Sequence, residues 1–224
     1  MILGIVQARL GATRLPNKML LHLSGYAVVD WVYRRMARCH RLDRLVFALP
    51  EGGGDEPLAL YLHGQGAEVR RGPELDVLGR FHRVAQEFRP DHIVRICADN
   101  PLVSWEAVDL LVEEHLRKEA DYSYNHIPRN NRWPDGLGAE ICTAACLDAL
   151  HRRATAPGHR EHLFNYLWDH PDAFSIHTFD PATPEWQRPD LKLDLDTWDD
   201  YQTLMRCGFT PDMRIGEIIQ NAKP

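Results

Sequence analysis

The chain has no apolar run approaching the ~18 residues that a membrane-spanning helix needs, and no Cys-x-x-Cys pair among its five cysteines, Cys39, Cys97, Cys142, Cys146 and Cys207. The first absence argues against a membrane protein. The second, with the odd count, argues against a disulfide framework or structural zinc site and for reduced thiols. A basic excess is missing too: 26 Lys and Arg face 32 Asp and Glu, a net charge of −6 that would repel a polyanion, so nucleic acid is not expected as a partner. Met1 leads straight into the apolar residues 2–6, without the charged leader, longer apolar stretch and cleavage site of a secretory signal, and the expected location is the cytoplasm. These exclusions leave a soluble chain that handles small ligands.

What is present is an alternation of strand and helix patterns. A length of 224 residues suits one α/β domain and is short for two. A single domain is expected over 1–224, with a loop-rich subregion at about 122–190. Residues 2–6 form the continuous apolar run of a strand covered on both faces. A helix follows from Val28, with Val28, Trp31, Val32, Met36 and Cys39 on one stripe. Then come a strand at 44–49, a helix at 56–63, a strand at 67–70, a helix burying Leu78, Phe81, Val84 and Phe88, a strand at 93–97 and a helix capped by Ser104. This order predicts a Rossmann-like α/β fold, a mixed, mostly parallel sheet flanked by helices. Residues 122–140 carry Pro128, Pro134, Gly136 and Gly138 and read as a loop over the ligand cleft. Helices are expected at 144–153 and about 160–168, strands near 174–179 and 191–195, and helices at 198–206 and 215–222.

Open α/β sheets bind ligands at the C-terminal ends of their strands, and there the first strand releases the loop Gln7, Ala8, Arg9, Leu10, Gly11 and onward through Arg14 to Lys18. Gly11 allows close backbone approach to a phosphate, and Arg9, Arg14 and Lys18 can neutralise a polyphosphate. No GK[ST] follows, so this is not a Walker A loop. Asp99 and Asp196 each close an apolar strand pattern and are expected at the same edge, where two carboxylates can share one Mg²⁺ that takes its other ligands from phosphate and water. Asp194, two residues from Asp196, is expected on the same face. Thr197-x-x-Asp200 is a helix-start capping pattern, so Asp200 is read as structural. Cys142 and Cys146, at helix-like spacing, read as packing residues.

The opening loop resembles the cytidylyltransferase family. So do the stretches Asp76-Val77-Leu78-Gly79-Arg80, Val94-Arg95-Ile96-Cys97-Ala98-Asp99-Asn100-Pro101-Leu102, Pro134-Asp135-Gly136-Leu137, Arg160-Glu161-His162 and Asp194-Leu195-Asp196-Thr197, which fall in that family's order. The nearest likeness is to its spore coat polysaccharide biosynthesis F-type branch, with acylneuraminate and 3-deoxy-manno-octulosonate cytidylyltransferases as relatives. The resemblance implies a nucleotide-diphospho-sugar transferase fold and a CTP site at the first strand, its loop and Arg80. It also implies phosphate contacts from Arg9 and Lys18, Mg²⁺ on Asp99 and Asp196, and a homodimer. The chain departs from the pattern at Asn17 for glycine, Trp198 for proline, Lys192 for arginine and Asp194 for threonine.

The acceptor side is expected to use Arg129, Arg132, Arg160 and His162 for a carboxylate or phosphoryl group and Glu140 for hydroxyl or amino groups. The reaction expected is CMP transfer from CTP to a small anionic sugar or sugar acid, with pyrophosphate released. A sugar phosphate or phosphonate acceptor, another nucleoside triphosphate, a glycosyltransferase using Asp194-Leu195-Asp196 as a DxD motif, and a non-catalytic nucleotide sensor are the alternatives.

Overall fold

The computed structural model describes residues 1–222. Its strands are β1 (Ile2–Gln7), β2 (His22–Leu23), β3 (Tyr26–Ala27), β4 (Arg44–Pro50), β5 (Val69–Gly72), β6 (His92–Cys97), β7 (Tyr122–Tyr124), β8 (Glu140–Thr143) and β9 (Ile176–His177). Its α-helices are α1 (Val28–Met36), α2 (Glu56–Gly64), α3 (Val77–Phe88), α4 (Trp105–Lys118), α5 (Ala144–Arg153), α6 (Pro157–Glu161), α7 (Asn165–Asp169), α8 (Trp198–Arg206) and α9 (Ile215–Asn221). None of the described helices is long and apolar enough to cross a membrane.

Seven strands form one sheet in the order β5-β4-β1-β6-β8-β7-β9, and β2 with β3 makes a separate hairpin. β5, β4, β1 and β6 run parallel, and β8 is antiparallel to both its neighbours. The mixed, mostly parallel sheet expected from the alternation is therefore present. Both faces are covered. Val6, Val94, Ile96 and Ile141 pack with α1, α2 and α4 residues on one face; Leu3, Ile5, Val46, Ile93 and Cys142 pack with α3 and α5 residues on the other. Burial on both faces is why the strands read as continuous apolar runs.

On the α3 face that apolar pattern stops near the C-terminal end of the sheet. Side chains at alternate positions share a face, and Leu3 and Ile5 give way to Gln7 while Ile93 gives way to Arg95 and Cys97. The register pairs Gln7 with Cys97 and Arg95 with Glu140. A polar floor results there.

Three expected elements differ from those found. The helix at about 160–168 is two helices, α6 and α7, separated by extended His162 (φ −107°, ψ 101°), because Leu163 and Phe164 turn into the core between them. The strand at 191–195 makes no ladder: Leu191, Leu193 and Leu195 alternate inward as in a strand, but the backbone bridges its neighbour only at Asp135 and Lys192. The strand near 174–179 shrinks to β9. The loop at 122–140 is framed by β7 and the first residue of β8, and all three β7 residues are buried.

Candidate functional site

The strand order reverses at β1, with β4 and β5 on one side and β6 on the other. Loops leaving adjacent strands diverge at such a switch point and open a crevice. Here it lies between the loop after β1 and the turn after β6, and Arg9, Arg14, Lys18, Arg95, Asp99 and Asp196 reach into it.

The loop after β1 is closed by its own hydrogen bonds. Buried Leu10 donates its N–H to Asp55 Oδ1 at 2.6 Å, and its carbonyl accepts from Ala12 and Asn17 N–H at 2.8 and 3.2 Å. Asn17 is left-handed (φ 57°, ψ 21°), a conformation asparagine tolerates better than most non-glycine residues. The chain then turns inward through Lys18, whose side chain is 9% exposed.

Lys18 joins the two expected metal carboxylates. Its Nζ donates to Asp99 Oδ2 at 3.1 Å, to Asp196 Oδ1 at 3.0 Å and to the Leu195 carbonyl at 2.7 Å. Arg14 Nη2 donates to Asp196 Oδ2 at 2.7 Å. Two aspartates far apart in sequence thus converge on a single ammonium. The backbone enforces this convergence. Leu195 N–H bonds the Asp99 carbonyl at 2.7 Å, and residues 191–193 exchange two 3.0 Å bonds with Asp135. Gly136, at φ 89°, lies so close to this segment that a Cβ would stand 2.7 Å from Asp194 N. Asp200 completes the expected capping box with Thr197, holding Asp196 from behind by accepting its N–H at 3.0 Å.

The charges around this point are strongly coupled. Burial opposes ionisation of Asp196, but Lys18 and Arg14 outweigh it and hold the carboxyl below its ordinary range. Asp135 is not held down in this way: burial and the charge of Asp194 outweigh Lys192 and, with Asp196 and Asp99, push it up to about 6. A negative pole of this kind stabilises a cation. Among the described residues no three His, Cys, Asp or Glu side chains cluster to chelate a metal ion alone. The donor set of Asp99 and Asp196 therefore fits an ion that keeps water and takes phosphate oxygens, as Mg²⁺ does, and not one bound in an all-protein cage.

Several expected residues lie elsewhere. Arg80 is 1% exposed, bonds the Pro73 carbonyl at 3.0 Å and packs beneath Gly72. Burial and the charge of Arg9 bring it down to about 10, so it backs the loop without lining the cleft. Glu140 is not free for an acceptor: it is 3% exposed, bonded to Arg95 Nη1 and to Tyr122 Oη, because the β6–β8 register sets it against Arg95. Arg160 is tied to Asp76 and the His151 carbonyl, and His162 is exposed at the end of α6. Arg129 lies over the Trp168 ring at 4.0 Å, and Arg132 reaches Gln187 at 3.1 Å. None of these four joins the residues around Lys18. Asp194 departs as well: it is 3.0 Å from Lys192, which also bonds Asp200 at 2.9 Å, and it faces a separate groove with Asp200. Leu10 acts through its backbone, and a Cβ on Gly11 would meet no protein atom within 4 Å.

Arg95 and Cys97 are cleft residues that the motif reading assigned no role. Their signal was present as a charged side chain inside an apolar strand, two positions before a cysteine and four before Asp99.

The cytidylyltransferase family profile matches residues 3–220. The chain is 32% identical over 227 aligned residues to the spore coat polysaccharide biosynthesis protein SpsF of Bacillus subtilis, covering 97% of this chain and 92% of that protein. A cytidylyltransferase structure from Leptospira borgpetersenii superimposes with a TM-score of 0.88 at 25% identity, covering 98% of this chain and 92% of the other. At the level of fold alone, a CMP:2-keto-3-deoxy-manno-octonic acid synthetase complexed with CTP aligns with a TM-score of 0.70 at 15% identity, over 91% and 96% of the two chains.

Proposed function

This chain belongs to the cytidylyltransferase family and is a nucleotidyltransferase, and from that premise we propose that it moves CMP from CTP onto a small sugar-acid acceptor with release of pyrophosphate. The observation that carries the reading is the convergence of Asp99, Asp196 and Lys18 at the switch point. A CTP complex of a protein with the same fold supports the choice of nucleotide.

In the proposed reaction an acceptor hydroxyl oxygen attacks the α-phosphorus, its proton passes to solvent water, and the bond to the bridging oxygen breaks with both electrons leaving on pyrophosphate. Asp99 and Asp196 would hold Mg²⁺, which supplies Lewis-acid stabilisation of the phosphate charge. Arg9, Arg14 and Lys18 bind the β- and γ-phosphates and stabilise the charge gathering on the leaving group. Lys18 is suited to this because its flexible stem lets the ammonium turn from the carboxylates to a phosphate. Gly11 leaves open space where the nucleotide backbone contacts would form.

A glycosyltransferase built on Asp194-Leu195-Asp196 is disfavoured, since only Asp196 reaches the cleft. The deciding experiment is pyrophosphate release with each nucleoside triphosphate and Mg²⁺ over a panel of sugar acids, sugar phosphates and phosphonates. CTP with a sugar acid should give the highest rate. Sugar transfer from a nucleotide-sugar donor, or tight CTP binding with no turnover on any acceptor, would replace this reading.

A further inference from the structure

The polar floor of the cleft holds two hydrogen-bond donors with no partner among the described residues. Arg95 donates Nε–H to Gln7 Oε1 at 3.0 Å and an Nη1–H to Glu140. Glu140 is in turn fixed by Tyr122 Oη at 2.5 Å. The first bond sets the Gln7 amide, because its oxygen must face Arg95 and its nitrogen must point away. Among the described residues neither Gln7 Nε2 nor Arg95 Nη2 makes a hydrogen bond, and neither is a buried orphan. Both side chains line the cleft beside Asp99 and Lys18.

We propose that Gln7 Nε2 and Arg95 Nη2 together form the acceptor's anion subsite, and that the group they select is a carboxylate. The inference rests on the cytidylyl-transfer reading for the identity of the second substrate, but its donors are defined by this structure alone. Two planar donor groups side by side suit a planar, two-oxygen acceptor. Charge sets the preference between anions: Glu140 already balances Arg95, so the pair carries no net charge and burying a dianionic phosphoryl group against it costs more than burying a monoanionic carboxylate. Burial works against the Arg95 charge, but Cys97 and Glu140 hold the guanidinium above its ordinary range, so it stays cationic at any working pH. Arg9, Arg14 and Lys18 remain for the nucleotide.

The test is calorimetric binding of 3-deoxy-manno-octulosonate, its methyl ester and a sugar phosphate, with and without a non-hydrolysable CTP analogue. The proteins compared are the wild type, Gln7→Leu and the double variant Arg95→Met with Glu140→Gln, which avoids leaving a buried carboxylate unpaired. Wild type should bind the acid about 10- to 100-fold more tightly than the ester, the range of a charge-assisted hydrogen bond. Gln7→Leu should cut that preference, and the double variant should abolish it while affinity for the CTP analogue changes less than threefold. If the double variant does not fold, Gln7→Leu decides alone. A wild type that binds none of the acid, treats acid and ester alike, or prefers the sugar phosphate overturns the inference, as does a folded variant that keeps the preference. Failure of the wild type to bind CTP sinks the cytidylyl-transfer reading instead, because the acid–ester contrast is also read without nucleotide.

Discussion

The two ends of the sheet treat polar groups in opposite ways. At the N-terminal end they are paired off: the Met1 ammonium sits on Asp91, Ile2 N–H meets Asp43 Oδ2 at 2.6 Å, and His92, His115 and Ser123 form a chain of 3.1 and 2.9 Å contacts. At the C-terminal end one ammonium is shared by two carboxylates, the carboxyl of a third aspartate, Asp135, is raised to about 6, and donors on Gln7 and Arg95 are unspent among the described residues. Saturated polar groups specify a fold. Unsaturated ones are poised to exchange a protein partner for a ligand. The contrast predicts that substitutions at the cleft end change turnover more than stability, and that those at the opposite end do the reverse.

The largest effect belongs to Asp196→Asn. Removing one of two convergent carboxylates should lower pyrophosphate release by about 10³-fold, since alignment and charge stabilisation are lost together. The melting temperature should fall by no more than about 4 °C, the shift expected for 1 kcal/mol in a chain of this size. Activity within tenfold of wild type would remove Asp196 from the site.

The opposite end is best probed through pH. His115 is fully buried, and burial, with the neighbouring His92 and His177, lowers it to about 4 against Asp121, which raises it. Its folded value lies below the unfolded value near 6.5, so the stability it contributes is complete above pH 6.5 and is lost as pH falls toward 4. The loss amounts to about 3 kcal/mol. Denaturant midpoints of wild type and His115→Gln at pH 7 and pH 4.5 check this: the gap between the two proteins should narrow in acid, with turnover at pH 7 little changed. A gap independent of pH would refute the assignment.

A third substitution asks whether the segment between β7 and β8 is a rigid part of the fold. Gly138 packs so closely that a Cβ would lie 2.2 Å from both the Asn125 carbonyl and Asn125 Oδ1, and buried Asn125 bonds Ala107 and Ala139. Gly138→Ala should cost about 2 kcal/mol by overpacking, a drop of about 4–8 °C in melting temperature. An unshifted melt would mean that this segment yields freely.

The sequence made the regular half of this architecture legible, because β1, β4 and β6 are buried on both faces and therefore carry unbroken apolar runs. It also placed Asp99, Asp196 and Lys18 at one edge, since all three leave strand-like patterns toward the same side. The limits have physical causes. Leu191, Leu193 and Leu195 alternate inward without a ladder, so period two overstated a strand there and put Asp194 on the wrong side. Glu140 is a charged residue whose partners, Arg95 and Tyr122, come from other strands, and a linear reading cannot see that its oxygens are already bonded; nor can it see that Arg80 is buried beneath Gly72, behind the loop. Arg95 is the converse case, a charge in a core strand to which the register with Glu140 and the bond to Gln7 give a place.

Ser104→Ala is the smallest and most discriminating change, because it lies at the cleft end of the sheet yet is saturated like the other end. Its Oγ accepts the Ala107 N–H at 3.3 Å as the cap of α4, its N–H donates to the Leu137 carbonyl at 2.8 Å, and the residue is fully buried. Loss of the cap should cost about 1 kcal/mol and about 2–4 °C in melting temperature, while KM for CTP and kcat stay within twofold. If Ser104→Ala instead lowered kcat tenfold with no change in melting temperature, position along the sheet, and not saturation of polar groups, would be what separates functional residues from structural ones.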